Sequence, residues 1–207
     1  MKNSFFAQTS FYLGVMLLLS SKAQAQSTTT IYTPKGTAVS AYILEEWSPQ
    51  QIEQGNAYVA TNYPNAQPLT SSSNRYNCHA YAWYLSEAPG SPWYWLDTPS
   101  DDTYWLDGSY IQICNEWEAS KISYASDDHS AVRSTAVAGK YESKWGRLPL
   151  MRHDPTYTPY NSSVRNYYVR ATINNSSSCD RVGTNTPFSV AAFTGGPIRG
   201  AQVRILA

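Results

Sequence analysis

Apolar and polar positions alternate on three different scales along this chain. From Phe11 to Leu19 the residues are uninterruptedly apolar or small, with Lys2 before them and the small residues Ala23 and Ala25 after them. That order is the pattern of a secretory signal cleaved after Ala25. The run is about 9 residues, whereas a spanning helix needs roughly 20, and no second apolar run follows. No cysteine stands just behind it to accept a lipid. The expected product is a secreted or periplasmic protein with no membrane attachment once the signal is removed.

Beyond the signal the periodicity changes. Gln26 to Gly36 is polar and Thr-rich and reads as a loose lead-in, followed by a short apolar run at Ala38 to Leu44. Ser48, Pro49 and Gln51 supply an N-cap, a first-turn proline and a capping-box partner, which predicts a helix to about Asn62, stopped by Tyr63 and Pro64. Gln67 to Asn74 reads as a loop. Next, Asn77 is a good N-cap for a second helix in which Cys78, Ala82 and Leu85 share one face and which Pro89 and Gly90 terminate. Ser91 to Ser109 is loop-like but carries Trp93, Trp95, Tyr104 and Trp105. Strand-like runs then recur at Tyr110 to Cys114, Lys121 to Tyr124, Ser130 to Arg133, Lys140 to Trp145 and Tyr167 to Ile173. Helices first and antiparallel strands afterwards make an α+β order. The expected organisation is a signal over 1–25, one main domain over 26–160, and terminal strands or the start of an accessory β-module over 161–207.

Composition changes this picture in two ways. Lys and Arg (15) balance Asp and Glu (15) and are scattered along the chain, which leaves no basic patch for a nucleic acid or an anionic membrane. Aromatic residues, in contrast, reach 14%, with 7 Trp and 17 Tyr, and cluster between Tyr81 and Tyr110. Rings with polar handles suit sugar and peptide faces, and they equally build the core of a small β-rich domain.

Three cysteines, Cys78, Cys114 and Cys179, are an odd number for an oxidising compartment. Pairing Cys114 with Cys179 leaves Cys78 as a free thiol; spacing alone also allows all three to be reduced. A thiol in a first helical turn faces the positive end of the helix and its N–H groups, which favour the thiolate nucleophile. Acyl transfer also needs a base. His79 is disfavoured, because neighbours on a helix point about 100° apart, and His129, opening a predicted strand, is the better candidate.

The order of a helix-start cysteine, a strand-start histidine and a further strand resembles the papain-like cell-wall hydrolases of the NlpC and CHAP type. The blocks Asn77-Cys78-His79-Ala80-Tyr81-Ala82, His129-Ser130-Ala131, Ser143-Lys144-Trp145-Gly146 and His153 are similar to those of a bacterial family of secreted or toxin-associated proteins. The resemblance covers Tyr76 to Asp154. It implies a papain-like fold with N-terminal helices packed on an antiparallel sheet, Cys78 as nucleophile and His129 as base. Ser143 is the first choice of orienting residue, ahead of Glu142 and His153. It departs from CHAP enzymes in lacking Gly-Gln-Cys-Thr, and from papain in lacking a clear upstream Gln. The oxyanion donors are therefore expected to be the Cys78 N–H and Asn74 or Asn77.

Asn77, Trp93, Trp95, Tyr104, Trp105 and Lys144 are the expected substrate-binding residues, with Lys144 and Trp145 also readable as structural. The implied function is a monomeric cysteine amidase or peptidase without a cofactor, acting on peptidoglycan or another peptide or glycan substrate. A non-catalytic glycan- or surface-binding module on the same fold is the alternative. No His-Glu-x-x-His, Gly-x-Ser-x-Gly or phosphate loop is present. A zinc site from Cys78, His129 and His153 has irregular spacing and ranks below the thiol mechanism, so no metal is expected.

Overall fold

A computed structural model describes residues 26–125 and 128–172. The signal and its cleavage site, the tail from 173 onward and Cys179 lie outside the described residues. Within them, two small residue patterns set the framework. The Thr-rich lead-in is not loose: β1 (Ser27–Tyr32) pairs antiparallel with β2 (Ala38–Ile43) as a hairpin. β-branched threonines favour extended backbone, and the turn closes through Gly36 at φ +87° with the Gly36 N–H donating to the Thr33 carbonyl. Only Ile31 of β1 and Val39 and Ala41 of β2 are buried, so the apolar signal of this hairpin is weak.

Helix α1 (Pro49–Asn62) forms where its cap predicts: Ser48 Oγ accepts from the Gln51 N–H at 3.3 Å and Gln51 Oε1 accepts from the Ser48 N–H at 3.0 Å. The second helix spans Cys78 to Leu85, as its pattern suggests, but changes type along the way. One turn, α2 (Cys78–Ala80), runs into a π-helical turn over Tyr81–Leu85, closed by the Ser86 N–H donating to the Tyr81 carbonyl at 3.0 Å. The Ser91–Ser109 stretch contains a 3-10 turn at Ser100–Asp102 and the short helix α3 (Thr103–Leu106).

A seven-stranded antiparallel sheet makes up the rest. Its strands are β3 (Gln67–Pro68), β4 (Tyr110–Ile113), β5 (Lys121–Tyr124), β6 (His129–Arg133), β7 (Tyr141–Lys144), β8 (Leu150–His153) and β9 (Arg165–Arg170). They lie in the order β3-β8-β7-β6-β5-β9-β4. β9 is inserted between β5 and β4, so the chain past residue 160 continues the same sheet as far as it is described. β8 had no clean sequence signal, because Leu150-Met151-Arg152-His153 does not alternate.

The sheet has helices on both sides. Register places Ser130, Val132, Glu142 and Lys144 on one face, and His129, Ala131, Tyr141, Ser143 and His153 on the other. The α2 region meets the first face: Trp83 Nε1 donates to Ser130 Oγ at 3.0 Å, and the Tyr81 hydroxyl to Glu142 Oε2 at 3.1 Å. Trp83, wholly buried, packs there with Tyr104, Tyr110, Leu96 and Tyr168. On the second face, Val59 of α1 packs with Trp145 and Met151. Among the described residues no helix is long and apolar enough to cross a membrane.

Candidate active site

Asn77 builds the site locally. Its Oδ1 accepts from the Ala80 N–H at 3.1 Å and the Leu96 N–H at 3.3 Å, while its Nδ2 donates to the Leu96 carbonyl at 2.6 Å. One side chain thus caps α2 and ties it to the Trp95–Leu96 segment, which β2 holds from the other side through paired Tyr42–Trp95 backbone bonds of 2.9 Å. Cys78 follows in the first turn. It is buried and free, whereas Cys114 is disulfide-bonded. The N–H groups of Cys78 and His79 have no acceptor within the helix, as in any first turn.

A cavity of about 190 Å³ opens beside the thiol, lined by Asn77, Cys78, His79, Trp95, Leu96, Asp97, Thr98, Asp128, Gly146 and Tyr160. It sits at the end of the sheet, where β7 has just ended and β6 is about to begin. A larger cavity of about 730 Å³ lies between α1 and the β3–β8 edge, but no thiol, imidazole or carboxylate lines it. The smaller one is lined by a thiol, an imidazole and two carboxylates.

The imidazole that shares this cavity is His79. Its Nδ1 lies 2.8 Å from Asp101 Oδ2 and 3.0 Å from Ser130 Oγ; its Nε2 lies 3.1 Å from Asp128 Oδ1. Asp101 is buried, with 4% of its side chain exposed, and Asp128 is open to solvent at 64%. Burial by itself would push the ring towards neutrality. The Cys78 sulfur, followed by the bonds to Asp101 and Asp128, outweighs it and holds His79 well above its ordinary value. Asp128 is in turn held below the usual carboxylate range, chiefly by its bond to His79. Divergence of adjacent helical residues disfavours His79 from the sequence, but Asp101, from a distant 3-10 turn, holds its ring in the wall of the cavity that Cys78 also lines.

His129 is placed differently. Its side chain shares the sheet face of Ala131, opposite Ser130, and it is 1% exposed. Tyr160, whose ring lines the cavity, stacks on it with centroids 3.7 Å apart and planes at 10°. Neither ring nitrogen has a hydrogen-bond partner among the described residues. Burial, reinforced by electrostatic interaction with the neighbouring His153 and His79, holds it well below its ordinary value and therefore neutral.

The expected orienting residues do not serve His129. Ser143 Oγ and His153 Nε2 bond each other at 2.8 Å, Trp145 Nε1 donates to the same Ser143 oxygen, and His153 Nδ1 is 2.8 Å from the Asp154 carbonyl. This is a closed, buried pair. Burial pushes His153 down to about 4. Glu142 faces the other way and binds Arg152, Ser134 and Tyr81.

The substrate-binding expectations divide similarly. Trp95 and Asn77 line the cavity, and Trp93 is 41% exposed against Tyr76 and Arg75. Tyr104, 1% exposed, and Trp105 pack on Trp83 in the core, because α3 turns them inward. Lys144 is also withdrawn from any substrate. Its ammonium donates to the carbonyls of Ser73, Gly146 and Leu148 at 3.0, 2.8 and 2.5 Å and stands 4.8 Å from the Tyr76 ring centroid. Both expected oxyanion amides are committed too, Asn77 to Leu96 and Asn74 Nδ2 to the Glu45 carbonyl at 3.2 Å. Among the described residues no three His, Cys, Asp or Glu side chains converge to hold a metal, and Cys78, His129 and His153 do not form such a group. No protein family, curated protein or solved structure matches the chain.

Proposed function

We propose that this chain is an exported cysteine hydrolase of papain-like descent that cleaves amide bonds in cell-wall peptides, with Cys78 as nucleophile and His79 as its acid–base partner. One observation carries the chemistry: a free thiol in a helical first turn shares a cavity with an imidazole held by a buried carboxylate on Nδ1 and a solvent-open one on Nε2. The N-terminal signal pattern supports export, and the block resemblance supports the substrate class.

A protonated His79 beside the sulfur stabilises the thiolate. The thiolate attacks the amide carbonyl carbon, and the Cys78 N–H receives the developing oxyanion. As the C–N bond breaks, His79 gives its Nε2 proton, which faces Asp128 at the cavity wall, to the leaving amine. A thioester remains on Cys78. Neutral His79 then takes a proton from water, hydroxide attacks the thioester, and the carboxylic acid product and thiolate separate. Asp101 and Ser130 keep the ring oriented throughout.

A second reading makes His129 the base. It rests on the two unpartnered nitrogens of a neutral ring behind Tyr160. Alkylation kinetics separate the two. With His79 in the role, His79→Gln slows iodoacetamide at pH 6 by about tenfold or more while His129→Gln leaves the rate within about twofold. The opposite pattern transfers the role to His129. If Cys78→Ala still releases peptides from purified cell walls, or neither protein does while glycans bind, the enzyme proposal fails in favour of a binding module.

A further inference from the structure

The turn between β7 and β8 carries a cation, Arg147. Arg147 is solvent-exposed, and among the described residues its guanidinium makes no ion pair and no side-chain hydrogen bond. Its backbone, in contrast, is pinned. The Lys144 ammonium binds the carbonyls on either side of it, Gly146 and Leu148, and the Ser73 N–H donates to the Arg147 carbonyl at 3.0 Å. Gly146, at φ +58°, makes the turn sharp enough to bring this about.

The side chain is held as well. The guanidinium carbon stands 6.0 Å from the Trp47 ring centroid and 5.7 Å from that of Trp95, so two indoles embrace one cation. These ring contacts take up none of the five N–H donors of the guanidinium, and the residue is exposed. Trp95 is shared: the same ring lines the Cys78 cavity, as does Gly146, the residue before Arg147.

The acidic groups at this mouth are already engaged. Asp97 Oδ1 accepts from Trp95 Nε1 at 2.6 Å, and Asp128 Oδ1 accepts from the Thr98 hydroxyl at 2.6 Å besides facing His79. The donors of Arg147 are the polar groups without an internal partner. A planar, pre-positioned fork of that kind matches a carboxylate with two parallel hydrogen bonds.

We propose that Arg147, clasped by Trp47 and Trp95, is a carboxylate-recognition site at the rim of the Cys78 cavity, and that it selects peptides bearing an acidic group close to the bond presented to the thiol. This rests on the proposed hydrolase reading for its purpose but not for its binding chemistry. The test therefore measures binding first, on the Cys78→Ala protein, which forms no thioester. Acetylated tetra-alanine amides carrying Glu or Gln at each of the four positions in turn are titrated by Trp fluorescence at low and at physiological salt.

At one position at least, the Glu peptide should bind roughly 10- to 100-fold tighter than its Gln counterpart, as expected of a bidentate charge-assisted pair. Arg147→Gln should erase that preference and leave the affinity for the Gln peptides within about twofold. Arg147→Lys should keep only part of it, because an ammonium cannot form the fork. Equal affinity for Glu and Gln peptides at all four positions, or a preference that survives Arg147→Gln, overturns the proposal. If the preference holds but the protein with Cys78 intact hydrolyses none of the peptides and no cell-wall material, the site stands and the hydrolase reading alone is lost.

Discussion

At the scale of single residues, the site depends on which buried polar groups find partners. Lys144 has no exposed surface, and burial drives it down to about 7, with Cys78 and Glu46 opposing. Its three carbonyl partners explain why a lysine is tolerated there. Lys144→Met keeps the stem's volume but leaves those carbonyls without their shared donor, and we predict a loss of about 3 kcal/mol in urea unfolding. A loss below about 1 kcal/mol would show that water replaces the ammonium without penalty. Asp101 is the corresponding partner for His79. Asp101→Asn keeps the shape and removes the charge, so alkylation of Cys78 by iodoacetamide should become more steeply pH-dependent between pH 6 and 8. An unchanged profile would assign Asp101 a packing role only.

At the scale of elements, α1 shows how a neighbour overrides propensity. Gly55 lies in the middle of the helix, where alanine is ordinarily favoured by about 1 kcal/mol. A Cβ there would stand 2.4 Å from Ser72 Oγ and 3.0 Å from Ser72 Cβ. Ser72 is fixed by its N–H donating to Asn56 Oδ1 at 2.8 Å. We predict that Gly55→Ala destabilises the protein by about 1–2 kcal/mol in chemical denaturation, and that adding Ser72→Gly recovers most of it. A stabilised single variant would mean that the loop yields readily. The capping box, the cap at Asn77 and five strand cores could be read from local sequence, because cap chemistry and alternation operate within a few residues. The β1–β2 hairpin and β8 were not legible: one buries too few apolar residues, and the other is recognisable as a strand only beside β7.

At the scale of the whole molecule, three histidines set opposing pH dependences. His153 and His129 are neutral in the fold, with values below the unfolded one, so the unfolded chain binds more protons as the pH falls. Their contribution is present above about 6.5 and lost as the pH falls towards the folded value, which for His153 is about 4 and corresponds to roughly 3 kcal/mol. His79 has the opposite sign. Its folded value is raised, so its contribution is complete below about 6.5 and is lost as the pH climbs through that folded value. Stability should therefore peak near neutrality, and His153→Asn should flatten the acid limb. Urea midpoints measured from pH 4.5 to 8.5 check both limbs, and an acid limb unchanged in the variant would refute the assignment to His153.

The chain's own order of residues was enough to set the α+β class, the start of each capped helix, and Cys78 as the cysteine in a helical first turn. Each of these depends on neighbours within one or two turns. Tertiary structure alone decided which imidazole meets the thiol, because that depends on pleat parity and on a distant carboxylate. Ser130, not His129, points from β6 towards the α2 region, and Asp101 reaches His79 from a segment that local pattern marks only as loop. The same holds for Arg147, whose two indoles come from the far-separated positions Trp47 and Trp95. Such contacts are fixed by how the chain closes on itself, which no local period encodes.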